Sequence, residues 1–124
     1  MKYLCLIYDE EQKFAAMSKG EIDALMKEYR AFSDGIRQSG HYIGGHQLAP
    51  VRSASTVRVR NGKMSATDGP FAETKEQLGG YFLIEAADLN EALQIASRIP
   101  SARIGSIEVR PIEEELPTER RYTA

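Results

Sequence analysis

The chain has 124 residues, a length that suits one domain, because two halves would be too small to bury adequate cores. A hydrophobic fraction of 42% with 27% charged residues is ordinary for a globular protein and too apolar for a disordered one. The net charge of -2, without a long basic block to neutralise phosphates, argues against a nucleic acid partner.

The N-terminal segment and the cysteine content indicate the cellular compartment. Residues 3–8 are apolar, a run too short for the core of a signal peptide, and the acidic residues 9–11 follow in place of a cleavage site. No later stretch is long and apolar enough to span a membrane. The single cysteine, Cys5, lies within the apolar run and is expected to be a buried thiol that cannot form an intramolecular disulfide. We therefore expect a cytoplasmic protein that does not bind membranes.

The first half of the chain predicts a strand, a helix and a second strand. Residues 2–8 form a continuous run of aromatic and branched side chains, which is typical of a strand. Ser18 and Glu21 have the spacing of a capping box, which predicts a helix that starts there and ends at Gly40. Residues 42–48 indicate a weak strand, in which two adjacent glycines predict a bulge or a close backbone approach.

The second half predicts a hairpin followed by a strand, a helix and a last strand. Residues 56–60 alternate between apolar and polar side chains, the Asn-Gly pair at 61–62 is a preferred two-residue turn, and residues 63–67 form the returning strand. The remaining elements are predicted over residues 80–86, 88–99 and 106–110.

These elements predict an α+β fold in a single domain over residues 1–112. Apart from an inserted β-hairpin, their order is β-α-β-β-α-β, the ferredoxin-like pattern of two helices on one face of an antiparallel sheet. The strands at residues 2–8 and 81–84 are apolar on both faces, although the helices can cover only one face. We therefore expect a homodimer in which the open sheet faces pack together. Residues 113–124 are predicted to form a charged tail.

One stretch of unusual composition resembles a known family. Residues 67–81 read T-D-G-P-F-A-E-T-K-E-Q-L-G-G-Y, which resembles the signature of the DGPF branch of the YCII-related proteins. Residues 107–111 resemble the last strand of that branch, so that the resemblance covers about residues 1–112. It implies a dimeric α+β barrel in a small bacterial protein without an assigned reaction. Some members are encoded beside, or fused to, extracytoplasmic-function sigma factors. A dehalogenating enzyme and muconolactone isomerase-like proteins share the related fold.

The resemblance does not extend to one catalytic pair. The better-described YCII branch pairs a histidine of the first helix with an aspartate that directly precedes a proline at the end of the second helix. This chain has no histidine in its first predicted helix, and Ile99 precedes Pro100. The His–Asp mechanism of that branch therefore cannot be carried over, because this chain has neither the histidine nor the aspartate at those positions.

Asp68, Gly69 and Pro70 allow two interpretations, which the sequence leaves open. In a structural interpretation, Asp68 accepts a local amide bond, Gly69 takes a positive φ and Pro70 starts a short helical segment. In a functional interpretation, Asp68 lies at the mouth of a cleft, where partial burial would favour proton uptake and let it act as a base.

Four further side chains are candidates for ligand contact or catalysis. Glu73 and Lys75 could hold a polar ligand or could simply solvate the surface. Phe71 is expected to be a core anchor, or otherwise a wall of the binding site. His46 follows two glycines that would let a ligand approach closely, although a lone histidine in a strand is more often packed or solvated than catalytic. No second metal ligand accompanies His46 at a suitable spacing, so we expect no metal and no other cofactor.

Two functions remain open from the sequence. One is a small-molecule enzyme for proton transfer, isomerisation or elimination, with Asp68 as the base and His46 assisting. Its ligand would contact Gly69, Pro70, Phe71, Glu73 and Lys75. The other is a non-catalytic ligand-binding or regulatory module that acts with a sigma factor. No phosphate loop, nucleophile elbow or cysteine pair indicates another enzyme class. An enclosed pocket that contains Asp68 and a second polar group would favour the enzyme.

Overall fold

The computed structural model describes residues 1–114. Within these residues the backbone forms six β-strands, three α-helices and two short 3₁₀ turns. The strands are β1 (Lys2–Asp9), β2 (Tyr42–Gln47), β3 (Ser55–Arg60), β4 (Lys63–Asp68), β5 (Gln77–Glu85) and β6 (Ser106–Pro111). The helices are α1 (Glu11–Ala15), α2 (Lys19–Gln38) and α3 (Leu89–Ala96), and the 3₁₀ turns are Val51–Ser53 and Pro100–Arg103. From residue 115 onward, the predicted tail lies outside the described residues.

Local hydrogen bonds explain where the two longer helices begin. The Ser18 hydroxyl accepts from the Glu21 backbone N–H at 3.1 Å, and the Glu21 carboxylate accepts from the Ser18 N–H at 3.0 Å, which confirms the capping box of α2. Asp88 caps α3 by accepting from the Glu91 N–H at 2.9 Å. The sequence patterns do not predict α1, a helix of five residues that fills the connection between β1 and α2.

Strands β2, β5, β1 and β6 form one antiparallel sheet in that order, which confirms the α+β class. The bulge predicted in β2 is also confirmed, because the pairing register shifts between Tyr42 and Gly44. A Cβ at Gly45 would lie 2.8 Å from the ring of Phe82 in the neighbouring strand. The close approach of β2 to β5 therefore requires glycine at this position.

The core lies between one face of this sheet and the helices α2 and α3. Tyr3, Cys5 and Ile7 of β1 are buried there, whereas the intervening residues of β1 are half-buried on the opposite face. Phe82 of β5 packs edge-on against Phe32 of α2, with 5.1 Å between the ring centroids. Strand alternation thus gives the sheet a covered face and an open face.

Strands β3 and β4 form a separate two-stranded sheet joined by the predicted turn. Asn61 and Gly62 have φ values of 52° and 73°, the left-handed conformations that a two-residue hairpin turn of this kind needs. Gly69 takes the predicted positive φ, at 104°.

The prediction that a short helical segment starts at Pro70 is wrong, because residues 69–76 contain bends but no helix. The Gly69 N–H donates to the Ala54 carbonyl at 2.7 Å, and the Thr56 hydroxyl donates to the Gly69 carbonyl at 2.9 Å. These bonds use both backbone groups of Gly69 to close the base of the hairpin, so the chain bends there and does not start a helix.

Candidate functional site

A cleft of about 830 Å³ lies between the sheet, the N-terminal helices and the turn that follows β2. Its apolar lining comprises Ile7, Phe14, Ile22, Met26, Leu48 and Phe82. Three polar residues that approach one another, Asp9, Tyr29 and Ser101, also line it. A volume of this size accommodates a small organic molecule, and an apolar cleft with a few convergent polar groups is the usual form of a ligand site.

Asp9 ends β1 on the covered face of the sheet and is only 8% exposed. Burial raises the pKa of Asp9, and the nearby carboxylates of Glu76 and Glu11 raise it further, whereas a hydrogen bond from the Ser101 hydroxyl opposes the rise. Removal of water destabilises the charged form, so this carboxyl group holds its proton more tightly than a carboxyl group in water. Asp9 is therefore suited to exchange a proton with a ligand in the cleft.

Tyr29 and Ser101 continue the polar row from Asp9. The Tyr29 and Ser101 hydroxyl oxygens lie 2.5 Å apart, and either hydroxyl can be the donor. Ser101 is 1% exposed, so its position is fixed by the surrounding core. Burial also raises the pKa of Tyr29, and the charge of Asp9 raises it further. Tyr29, Ser101 and Asp9 thus form a polar row in the wall of the cleft, in which Ser101 interacts with both of the others.

Two glycines, which have no side chain, make room for Asp9. A Cβ at Gly79 would lie 3.3 Å from the Asp9 Oδ1 atom. A Cβ at Gly105 would lie 2.1 Å from the Tyr8 carbonyl oxygen and 3.0 Å from the Asp9 Cβ. Gly79 belongs to the Gly-Gly pair of the 67–81 stretch, so part of that motif serves the packing around Asp9.

His46 lies on the strand that borders the cleft, but its side chain contacts the opposite face of the sheet. It pairs with Tyr81 across β2 and β5, and its Nδ1 atom is 2.8 Å from the Tyr81 hydroxyl oxygen. Phe82, the next residue after Tyr81, belongs to the core cluster on the covered face. Strand alternation therefore directs Tyr81 and His46 away from the cleft. Both residues are nevertheless among those that line the cleft.

The structure does not bring the predicted 68–75 loop into the cleft. Asp68 is exposed and pairs with Ser55 at the base of the hairpin. Among the described residues that line the cleft, none comes from the loop candidates, which are Asp68, Gly69, Pro70, Phe71, Glu73 and Lys75. Glu73 and Lys75 are exposed, and Gly69 and Pro70 are half-buried. Phe71 is 80% exposed, so the expectation of a core anchor is wrong for the single chain.

Sequence reasoning missed Asp9, Tyr29 and Ser101 as site residues. The predicted first strand ends at residue 8, but β1 continues to Asp9, which follows Ile7 at a spacing of two and therefore shares the buried face. That alternation is the signal that could have found it. Tyr29 resembles any other member of the apolar stripe of its helix, and Ser101 follows Pro100 beyond the end of the last predicted helix. Neither has a local signal.

Within residues 1–114, no group of three His, Cys, Asp or Glu side chains comes together as ligands for a metal ion. No helix in the same part of the chain is both long and apolar enough to cross a membrane. The absence of a cofactor and the cytoplasmic location stay predictions from the sequence.

Comparisons with known proteins identify the family. An uncharacterised protein of Rhizobium meliloti is 40% identical to this chain over 114 residues, which cover 90% of this chain and 92% of that relative. The YCII-related domain matches residues 1–115, which include every element described above. The chain therefore belongs to the family of proteins with a YCII-related domain.

Proposed function

We propose that this protein is an enzyme that moves a proton within a small organic molecule bound in the cleft, with Asp9 as the acid–base group. The supporting observation is a carboxyl group that is 8% exposed, has a raised pKa and lines a cleft of sufficient volume for such a molecule. Titratable groups with perturbed proton affinity in clefts are typical of catalytic acids and bases, because that affinity must suit the pH at which they work.

The chemistry of Asp9 follows from its environment. The ionised carboxylate takes a proton from a C–H or O–H group of the substrate and becomes a carboxylic acid. Return of the proton to a different atom completes an isomerisation, whereas departure of a leaving group with its bonding electrons completes an elimination. Burial favours the uptake step, because the neutral acid depends less on water than the carboxylate does. Ser101 and Tyr29 act as positioning residues that fix the direction of the carboxyl group.

Proton transfer can be tested by ¹H NMR in D₂O without a known substrate. A panel of small carbonyl compounds is incubated with the protein, and the replacement of C–H by C–D is followed over time. We expect the wild type to exchange protons of at least one compound and Asp9→Asn to lose about 100-fold or more of that rate, as removal of a general base does. Asp68→Asn is the matched control and keeps the wild-type rate if Asp9 is the base.

Three results would contradict the proposal. Exchange at an undiminished rate in the Asp9→Asn variant would remove Asp9 from the chemistry. Loss of exchange in Asp68→Asn, or in a His46→Gln variant, would restore the candidates predicted from the sequence. Ligand binding without any exchange by the wild type would favour the non-catalytic binding module.

We also propose that the fold is ferredoxin-like and assembles as a homodimeric α+β barrel. The antiparallel order β2-β5-β1-β6 supports the ferredoxin-like arrangement. On the open face, Leu4 lies opposite Leu83, and Leu6 lies beside them, all three only half-buried in a single chain. An apolar sheet face of this kind favours a second copy. Sedimentation velocity at micromolar concentration should show a dimer, and Leu6→Lys should produce monomers; a monomeric wild type would contradict the proposal.

The placement in the DGPF branch is likewise a proposal, which residues 67–81 support. A regulatory role with a sigma factor rests on this resemblance and stays a prediction.

A further inference from the structure

The charged residues that line the cleft differ in whether they are free to bind a ligand. Asp9 is buried against Ser101. The Glu11 carboxylate accepts a hydrogen bond from the Val51 N–H at 2.9 Å. Arg52 also lines the cleft, is exposed, and has no ion pair or side-chain hydrogen bond with any residue in the part of the chain that the structure describes. Arg52 is therefore a cation of the cleft that has no partner of its own among the described residues.

The position of Arg52 is set by the same contact. Glu11 begins α1 and lies two residues after Asp9, and its carboxylate holds the Val51–Ser53 turn against the helix. Arg52 is the middle residue of this turn. The backbone of Arg52 is thus held close to α1, which begins two residues after Asp9.

Arg37, the second arginine of the cleft, is already engaged. Its guanidinium carbon lies 4.3 Å from the centre of the Tyr42 ring, and its Nη1 atom is 3.9 Å from an Asp34 carboxylate oxygen. These contacts hold the Arg37 side chain in place beside Tyr42 and Asp34. Arg52 has no such competing contacts among the described residues.

We infer that the substrate is a small organic carboxylate whose apolar body occupies the cleft and whose carboxylate pairs with Arg52. This inference rests on the proposed function and specifies the class of molecule on which it acts. The apolar lining provides a favourable environment for a hydrocarbon or aromatic body. The planar guanidinium of Arg52 can bind a carboxylate through two parallel hydrogen bonds. Arg52 and Asp9 line the same cleft, so a ligand held at Arg52 shares the cleft with the acid–base group.

The test uses two probes of the same size that differ in charge, 1-naphthoate and 1-naphthamide. Each is titrated into ¹⁵N-labelled protein, and the shifts of the Gly79 and Ser101 amide signals report binding in the cleft. We expect the wild type to bind naphthoate about tenfold more tightly than naphthamide, the size of effect that one charge-assisted pair gives. Arg52→Gln should remove this preference without weakening the binding of naphthamide.

Two control variants locate the effect. Arg30→Gln replaces an exposed arginine of α2 outside the cleft, and Arg37→Gln replaces the engaged arginine; both should keep the preference for naphthoate. The inference is overturned if Arg52→Gln keeps the preference, if Arg37→Gln loses it, or if neither probe shifts the cleft signals of the wild type. Asp9→Asn is examined only in the proton-exchange assay, so loss of exchange in that variant and loss of charge preference in Arg52→Gln report on separate claims.

Discussion

Replacement of Ser101 by alanine tests the polar row directly, because it removes one hydroxyl group and leaves the backbone contacts of the turn in place. The Ser101 carbonyl would still accept from the Gly105 N–H at 2.7 Å. The lost bonds are one to the neutral Tyr29, worth about 0.5–1.5 kcal/mol, and one to the carboxylate of Asp9, worth about 1.5–3 kcal/mol. Tyr29 is only half-buried and can turn to water in the cleft, so we expect a total loss of about 2–3 kcal/mol in the free energy of unfolding.

Urea denaturation at pH 7 measures this loss as a lower midpoint with an unchanged slope. Ser97→Ala is the matched control, because the Ser97 hydroxyl donates only to the Gln94 carbonyl on the exposed surface of α3, and its effect should stay within about 0.5 kcal/mol. The loss in Ser101→Ala should shrink at acidic pH, where Asp9 is protonated and the charged hydrogen bond no longer contributes. A loss no larger than that of Ser97→Ala would refute the claim that the Ser101 hydroxyl stabilises the fold through its contacts with Tyr29 and Asp9.

Three further predictions concern stability and reactivity. Because burial raises the pKa of Asp9, the folded protein binds the Asp9 proton more tightly than the unfolded chain does, and the ionised group lowers stability above the folded pKa. Asp9→Asn should therefore raise the urea midpoint at pH 7. This gain should disappear below pH 3.8, the ordinary pKa of an aspartate side chain. Burial raises the pKa of the Cys5 thiol to about 11, so thiol reagents should label it far more slowly in buffer than in urea, and equal rates would contradict its burial. Gly45→Ala places a methyl group 2.8 Å from Phe82 and should cost about 1–3 kcal/mol in unfolding experiments, whereas Gly44→Ala, with nothing within 4 Å, should not show this cost.

The candidate site shows where local patterns mislead. The 67–81 stretch has the most distinctive residues of the chain, yet Asp68 is exposed beside the hairpin and does not line the cleft. Its turn chemistry was correct in one respect, because Gly69 has the positive φ that was predicted. The Asp9 carboxyl group depends on Ser101, which lies far away in the sequence. A distinctive motif therefore marked local backbone geometry, and the buried polar row had no comparable mark.

The sequence by itself determined the elements whose hydrogen bonds or side-chain periodicity are local. The capping box joins residues three apart, and the hairpin turn depends on two residues. The strand β1 follows from its run of apolar side chains, but the face that the helices cover does not, because both faces are apolar. Tertiary structure alone decided which polar groups meet, because Tyr29 and Ser101 are 72 residues apart and touch only after α2 and the last 3₁₀ turn have packed on the sheet. The pKa shift of Asp9 is likewise tertiary in origin, since it arises from the water that these elements exclude.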